Sequence, residues 1–147
     1  MTNIARDYAT TIKTFTPPDE VYKAIIGVDG WWTQNFNGSA NSIDDVFTVS
    51  FGETYMTLKV VALVKDKQVA WLVTDSHKHF LDGKKNEWDG TCMHFDIANS
   101  NNQTLVTFKH SGLVPQLECY DVCCAGWDNY LHSLKNLIDT GKGNPDK

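Results

Sequence analysis

The chain has 147 residues, a net charge of −5, 41% apolar residues and only 13 lysines and arginines. That is enough chain to bury a core without disulfide or metal staples, most simply as one domain. The sparse basic residues form no stripe, which argues against nucleic acid. The apolar run Val60 to Val64 is far too short for a membrane span.

The first residues, MTNIARDY, lack the apolar core of a secretory leader, so a cytoplasmic home is expected. Cys92, Cys119, Cys123 and Cys124 are then expected to be free thiols. Cys119 and Cys123 share a helix face at i, i+4 and could hold two legs of a metal site. No second Cys/His pair at ligand spacing is visible, so no metal is expected. Buried small apolar groups are the simpler reading. A reactive thiol would need a nearby cation or a helix N-terminus, and Cys119 lies close to one.

In chain order, Asp7 to Phe15 reads as a half-buried strand, with threonines supplying strand preference. Thr16 is a plausible N-cap for a short helix, with Pro17, Pro18, Asp19 and Glu20 suiting its first turn. Val21, Ala24 and Ile25 make its apolar stripe, and Gly27 and Gly30 break it. Trp31 and Trp32 follow. Adjacent side chains point apart, so one is expected inside and the other over an opening. Phe36 to Asn41 reads as a loop.

From Ile43 the apolar period becomes two. Phe47, Val49 and Phe51 share a face, and Gly52-Glu53 turns the chain. Met56, Leu58, Val60, Ala62 and Val64 then alternate with polar residues, and Lys65 to Gln68 is a charged turn. Val69, Trp71 and Val73 make the next strand. Asp75 to Trp88 is a long polar insertion holding His77 and His79, a weak metal signal on its own. Thr91 to Ala98 alternates again through Met93, Phe95 and Ile97, with His94 on the outer face. Asn99 to Asn102 signals a hairpin. Val106, Phe108 and His110 share one face of the return strand.

Leu117 to Asp139 reads as a long helix. Tyr120, Cys123, Cys124, Trp127, Leu131, Leu134 and Ile138 form its apolar stripe, with Glu118 in the first turn and Gly141 as the stop. The strands should form one antiparallel sheet with one apolar face, and that face and the helix stripe need each other.

Several motifs carry a family resemblance: T-P-P-D-E-V-Y-K-A-I from Thr16, E-W-x-G-T-x3-F from Glu87 and F-K-H-S-G-L-V-P from Phe108. E-C-Y-x2-C from Glu118 and G-W-x3-L-x2-L from Gly126 add to them. With this order of elements, the chain resembles the START-related helix-grip (SRPBCC) superfamily. Within it, the chain is similar to the branch named for activators of heat-shock-chaperone ATPases. The resemblance implies an α+β helix-grip fold: a curved antiparallel sheet of about six strands wrapped around the C-terminal helix, with short helices after strand one. It also implies a cavity between sheet and helix that binds apolar or aromatic molecules in many members.

In this sequence the alternation would line that cavity with Phe47, Val49, Met56, Leu58, Trp71, Met93, Phe95, Val106, Phe108 and His110. Tyr120, Cys123, Cys124, Trp127 and Leu131 would come from the helix, with Trp31 or Trp32 at the mouth. Alternatively these side chains fill the space. His110 is either a core histidine with a satisfied ring or a polar group facing the ligand, with Tyr120 as its expected neighbour. No P-loop, GxGxxG or zincin motif is present.

Three functions follow. The first is non-catalytic binding of a small hydrophobic ligand, with no cofactor. The second is a cyclase- or hydrolase-type enzyme using His110 and Tyr120 as acid and base. The third is co-regulation of a chaperone ATPase, for which the Trp31-Trp32 region is the candidate contact surface. Either a monomer or a homodimer is compatible with the sequence.

Overall fold

A computed structural model of the protein describes residues 7–147. The elements run β1 (Tyr8–Thr14), α1 (Pro18–Ile26), a 3-10 turn (Val28–Gly30), β2 (Phe36–Gly38), β3 (Val46–Phe51) and β4 (Thr54–Val64). After them come β5 (Gln68–His77), β6 (Cys92–Ser100), β7 (Gln103–Ser111) and α2 (Tyr120–Thr140). The seven strands form one antiparallel sheet in the order β1-β7-β6-β5-β4-β3-β2. Among the described residues, no helix is long and apolar enough to cross a membrane.

The extra strand is β2, in a segment expected to be a loop. Phe36 pairs with Val49 and Gly38 with Phe47. Glycine makes this pairing possible. Gly38 sits at φ +108°, and a Cβ there would lie 2.3 Å from the Val46 carbonyl oxygen. The Asn-rich hairpin forms as expected: Asn101 and Asn102 both have positive φ, as a two-residue type I′ turn requires, and Ser100 pairs with Gln103.

The alternation along β4 breaks after Val60. The β4–β5 register shifts between Val60 and Ala62, so Val60 is buried while Val61 and Val64 are exposed. That bulge takes Val64 off the apolar face the even spacing had given it. Thr16 is not the cap of α1 either. Pro17 holds the N-cap position with no side-chain bond, and the Thr16 hydroxyl donates to the Ile138 carbonyl at 3.1 Å.

The long helix begins at Tyr120 rather than Leu117, because Val114 to Tyr120 is taken up by turns. Gly141, at φ +84°, ends it with its N–H on the Leu137 carbonyl. Cys123, Trp127, Leu131, Leu134 and Ile138 are its buried stripe. Phe95 and Phe108 are cross-strand partners on the same sheet face, ring centres 4.9 Å apart, and Trp127 rests on Phe108 at 4.6 Å. Sheet and helix therefore meet through aromatic rings, the grip expected from the two periodicities.

Trp31 and Trp32 are both buried, which corrects the expectation that one would cover an opening. The 3-10 turn ahead of them bends the chain so that both rings enter the core. There they stack on each other at 5.7 Å and on Trp71 at 6.4 and 6.1 Å between ring centroids. With both rings inside, the region has no aromatic surface to offer a large partner.

Candidate functional site

Between α2 and the β3–β4 end of the sheet lies a pocket of about 280 Å³. Trp32, Trp88 and Trp127 form its inner wall: Trp32 and Trp127 are 5.0 Å apart, and Trp88 stacks on Trp127 at 5.9 Å with planes 6° apart. Phe51 and Tyr130 close one side, 5.6 Å apart. Met56 and Thr54 come from β4, and Val122, Cys123 and Gly126 from successive turns of α2. Phe80 and Val122, 49% and 59% exposed, stand at the rim.

One wall residue is charged. Lys78 follows β5 directly, and its side chain turns inward to 4% exposure. Its ammonium lies 3.6 Å from the centre of the Trp88 ring and 3.8 Å from the Met56 sulfur. Burial pushes the Lys78 ammonium below its ordinary pKa, while the Cys123 and Cys119 sulfurs and the Glu87 carboxylate hold it up.

Cys119, at the N-cap position of α2, and Cys123, one turn on, are both buried, and their sulfurs interact. The Cys119 thiol serves Cys123 as hydrogen-bond donor, which holds Cys123 below its ordinary pKa. Lys78 pushes the same way, and burial opposes both. The same bond, together with burial, drives Cys119 upward. The Trp88 indole N–H faces these sulfurs without a properly formed hydrogen bond. No group of three or more His, Cys, Asp or Glu side chains among the described residues could hold a metal ion. His79 pairs instead with Glu53 at 2.7 Å.

Two carboxylates tie the pocket's rim together. Glu87, in the 78–91 loop, accepts the backbone N–H groups of Glu118 and Cys119 at 3.0 and 3.1 Å, just ahead of α2. Glu118 reaches back to accept those of Asp82 and Gly83 at 3.2 and 3.1 Å. Glu118 was expected in the first turn of the helix. It precedes the helix and fastens the loop.

His110 is fully buried behind the wall. Its ring is held at both nitrogens: Trp127 Nε1–H donates to Nδ1 at 2.9 Å, and Nε2 lies 2.8 Å from the Thr91 hydroxyl. That hydroxyl donates to the Trp88 carbonyl at 2.7 Å, so the ring is the neutral Nε2–H tautomer. Burial first, and then the Lys78 and His94 charges, pull its pKa down from 6.5 to about 3. The hydrogen-bond partners of His110 are Trp127 and Thr91, not Tyr120. Tyr120 is half-buried at the helix start beside Cys124. This overturns the catalytic pairing: a sealed histidine with both nitrogens engaged offers no base to the pocket.

Of the residues expected around the cavity, Trp32, Met56, Cys123 and Trp127 line the pocket. Trp31, Phe47, Val49, Leu58, Trp71, Met93, Phe95 and Phe108 lie deeper and are packed solid as core. Phe51, Thr54, Lys78, Phe80, Trp88, Val122, Gly126 and Tyr130 were missed. Phe80, Leu81 and Trp88 were the available signal, since three large apolar residues in a polar insertion ask for cover.

No protein-family model matches the sequence, and no curated protein does. Among solved structures, the chain is similar to the Aha1 protein of Colwellia psychrerythraea, solved as a dimer. The identity is 26% and the TM-score 0.77, over 94% of this chain and 99% of that one. It is also similar in fold to DynU16, a putative protein of the dynemicin biosynthetic locus, at 16% identity and TM-score 0.69, over 93% of this chain and 48% of that one. CalU16 from Micromonospora echinospora shares the fold at 14% identity and TM-score 0.67, over 95% and 78%. A sheet wrapped on a terminal helix, matched over nearly its whole length by these structures, is the START-related helix-grip fold, and at 26% identity the chain is Aha1-like.

Proposed function

We propose that the protein is a non-catalytic binder of a small apolar or aromatic molecule, held in the pocket between α2 and the β3–β4 end of the sheet. The observation that carries this reading is the wall itself. Three tryptophans, a phenylalanine and a tyrosine converge on about 280 Å³ of open space with few polar groups among them. Gly126 supports it. A Cβ on this glycine would meet nothing within 4 Å, although glycine inside a helix is about 1 kcal/mol worse than alanine. The bare backbone leaves the space open where a side chain would narrow it.

The test is titration with a neutral aromatic probe, naphthalene, followed by quenching of the tryptophans and checked by native mass spectrometry. Saturable one-site binding is expected in the natural sequence, with loss of at least about tenfold in affinity in Gly126→Leu, whose side chain would occupy the pocket. Failure of naphthalene and of its polar-substituted derivatives alike to bind, or equal binding by Gly126→Leu, overturns the reading. Self-association is the partner reading favoured by the dimeric Colwellia structure. A single monomer mass at all concentrations in sedimentation would remove it.

A further inference from the structure

We propose that the pocket's ligand is an amphipathic acid, an apolar or aromatic body carrying one carboxylate, and that Lys78 is the residue that receives the carboxylate. The proposal rests on the binding reading above and gives it a chemical class.

The argument starts from what surrounds the ammonium. An ammonium has three N–H donors and needs anionic or oxygen partners when it leaves water. Around Lys78 Nζ stand the Trp88 ring at 3.6 Å, the Phe80 ring at 5.8 Å, the Met56 sulfur at 3.8 Å and the Cys123 sulfur. All are soft and none is an oxygen. The ion pairs of the described residues involve other cations, so no carboxylate lies within 4.0 Å of Lys78. Glu87, the carboxylate that helps hold the ammonium charged, is already engaged by two backbone N–H groups.

The Trp88 indole N–H, on the ring that the ammonium touches, faces the Cys119 and Cys123 sulfurs and supplies no oxygen either. An ammonium short of oxygen at one end of an otherwise greasy pocket matches one class of guest. Its hydrocarbon part fills the aromatic wall, and its charged end supplies what Lys78 lacks. A neutral guest would leave the buried charge with only the Met56 and cysteine sulfurs and the already engaged Glu87 carboxylate set against it.

The experiment compares 2-naphthylacetate with its primary amide, 2-naphthylacetamide, by tryptophan quenching in the natural protein and in Lys78→Met. Methionine keeps an unbranched apolar stem against Met56 and Trp88, and removing a buried charge does not threaten the fold. The natural protein should prefer the acid by about tenfold or more, the scale of one charge-assisted hydrogen bond. Lys78→Met should lose that preference and keep its affinity for the amide. Equal affinity for acid and amide in the natural protein, or an acid preference that survives in Lys78→Met, overturns the assignment and leaves the pocket reading standing. If naphthalene and both of these probes fail to bind, the pocket reading falls and this assignment with it.

Discussion

Acid should weaken the fold through His110, and the size of the effect follows from its surroundings. The ring is buried, neutral and bonded at both nitrogens, with a pKa of about 3 against 6.5 when exposed. Between those values the unfolded chain binds a proton that the folded chain refuses, so stability rises with pH across this window and is lost as pH falls. At 1.36 kcal/mol per unit, the full loss is about 5 kcal/mol. Integrated from pH 7, it is about 2 kcal/mol by pH 5 and about 3 by pH 4. Urea unfolding at pH 7 and pH 5 measures it, with His110→Gln as the control. Glutamine can still accept from Trp127 and donate to Thr91, but it does not titrate. The natural protein should lose about 2 kcal/mol more than the variant over that interval, where carboxylates are still ionised. Equal losses would refute the sealed-histidine account and return His110 to the candidates for acid–base chemistry.

Three further outcomes are expected. Thr91→Val removes the acceptor for His110 Nε2–H and the bond to the Trp88 carbonyl, so the fold should lose about 1–3 kcal/mol in urea. Gly126→Ala places a methyl in open space on a helix, which should add about 1 kcal/mol. At about 2.1 cal/mol/K of unfolding entropy per residue, that is a rise of about 3 °C in Tm by circular dichroism, and a fall would show the space is not open. Gly38→Ala forces a Cβ onto the Val46 carbonyl at positive φ and should weaken the fold by more than about 1 kcal/mol, loosening β2. Unchanged exchange of the β2 and β3 amides would contradict that.

The grip was legible because two periods carry it. Phe95 and Phe108 fall on one sheet face by alternation, and Trp127 falls on the helix stripe by its spacing. Both patterns survive folding because each buries a single face. The pocket was less legible, since much of its wall comes from a segment without a period. Lys78 and Trp88 turn inward because the 78–91 loop is fastened at its ends. The Lys78 N–H binds the Lys85 carbonyl at 2.7 Å, and the Ser76 hydroxyl binds Asp89 at 2.7 Å. Hydropathy does not register such bonds. His110 was placed on the correct face but given the wrong neighbour. Spacing tells which stripe of α2 faces the sheet, and the height at which the helix docks decides that Trp127, not Tyr120, meets β7.

The exchanged grip of Glu87 and Glu118 has a mechanical consequence. Glu87 holds the Glu118 and Cys119 backbone ahead of the helix, and Glu118 holds the Asp82 and Gly83 backbone of the loop, so the lip formed by Phe80 and Val122 cannot gape by moving the loop alone or the helix start alone. A guest too wide for the doorway must unlatch both carboxylates at once. The size limit of the chamber is therefore set by two surface acids that never touch what goes inside.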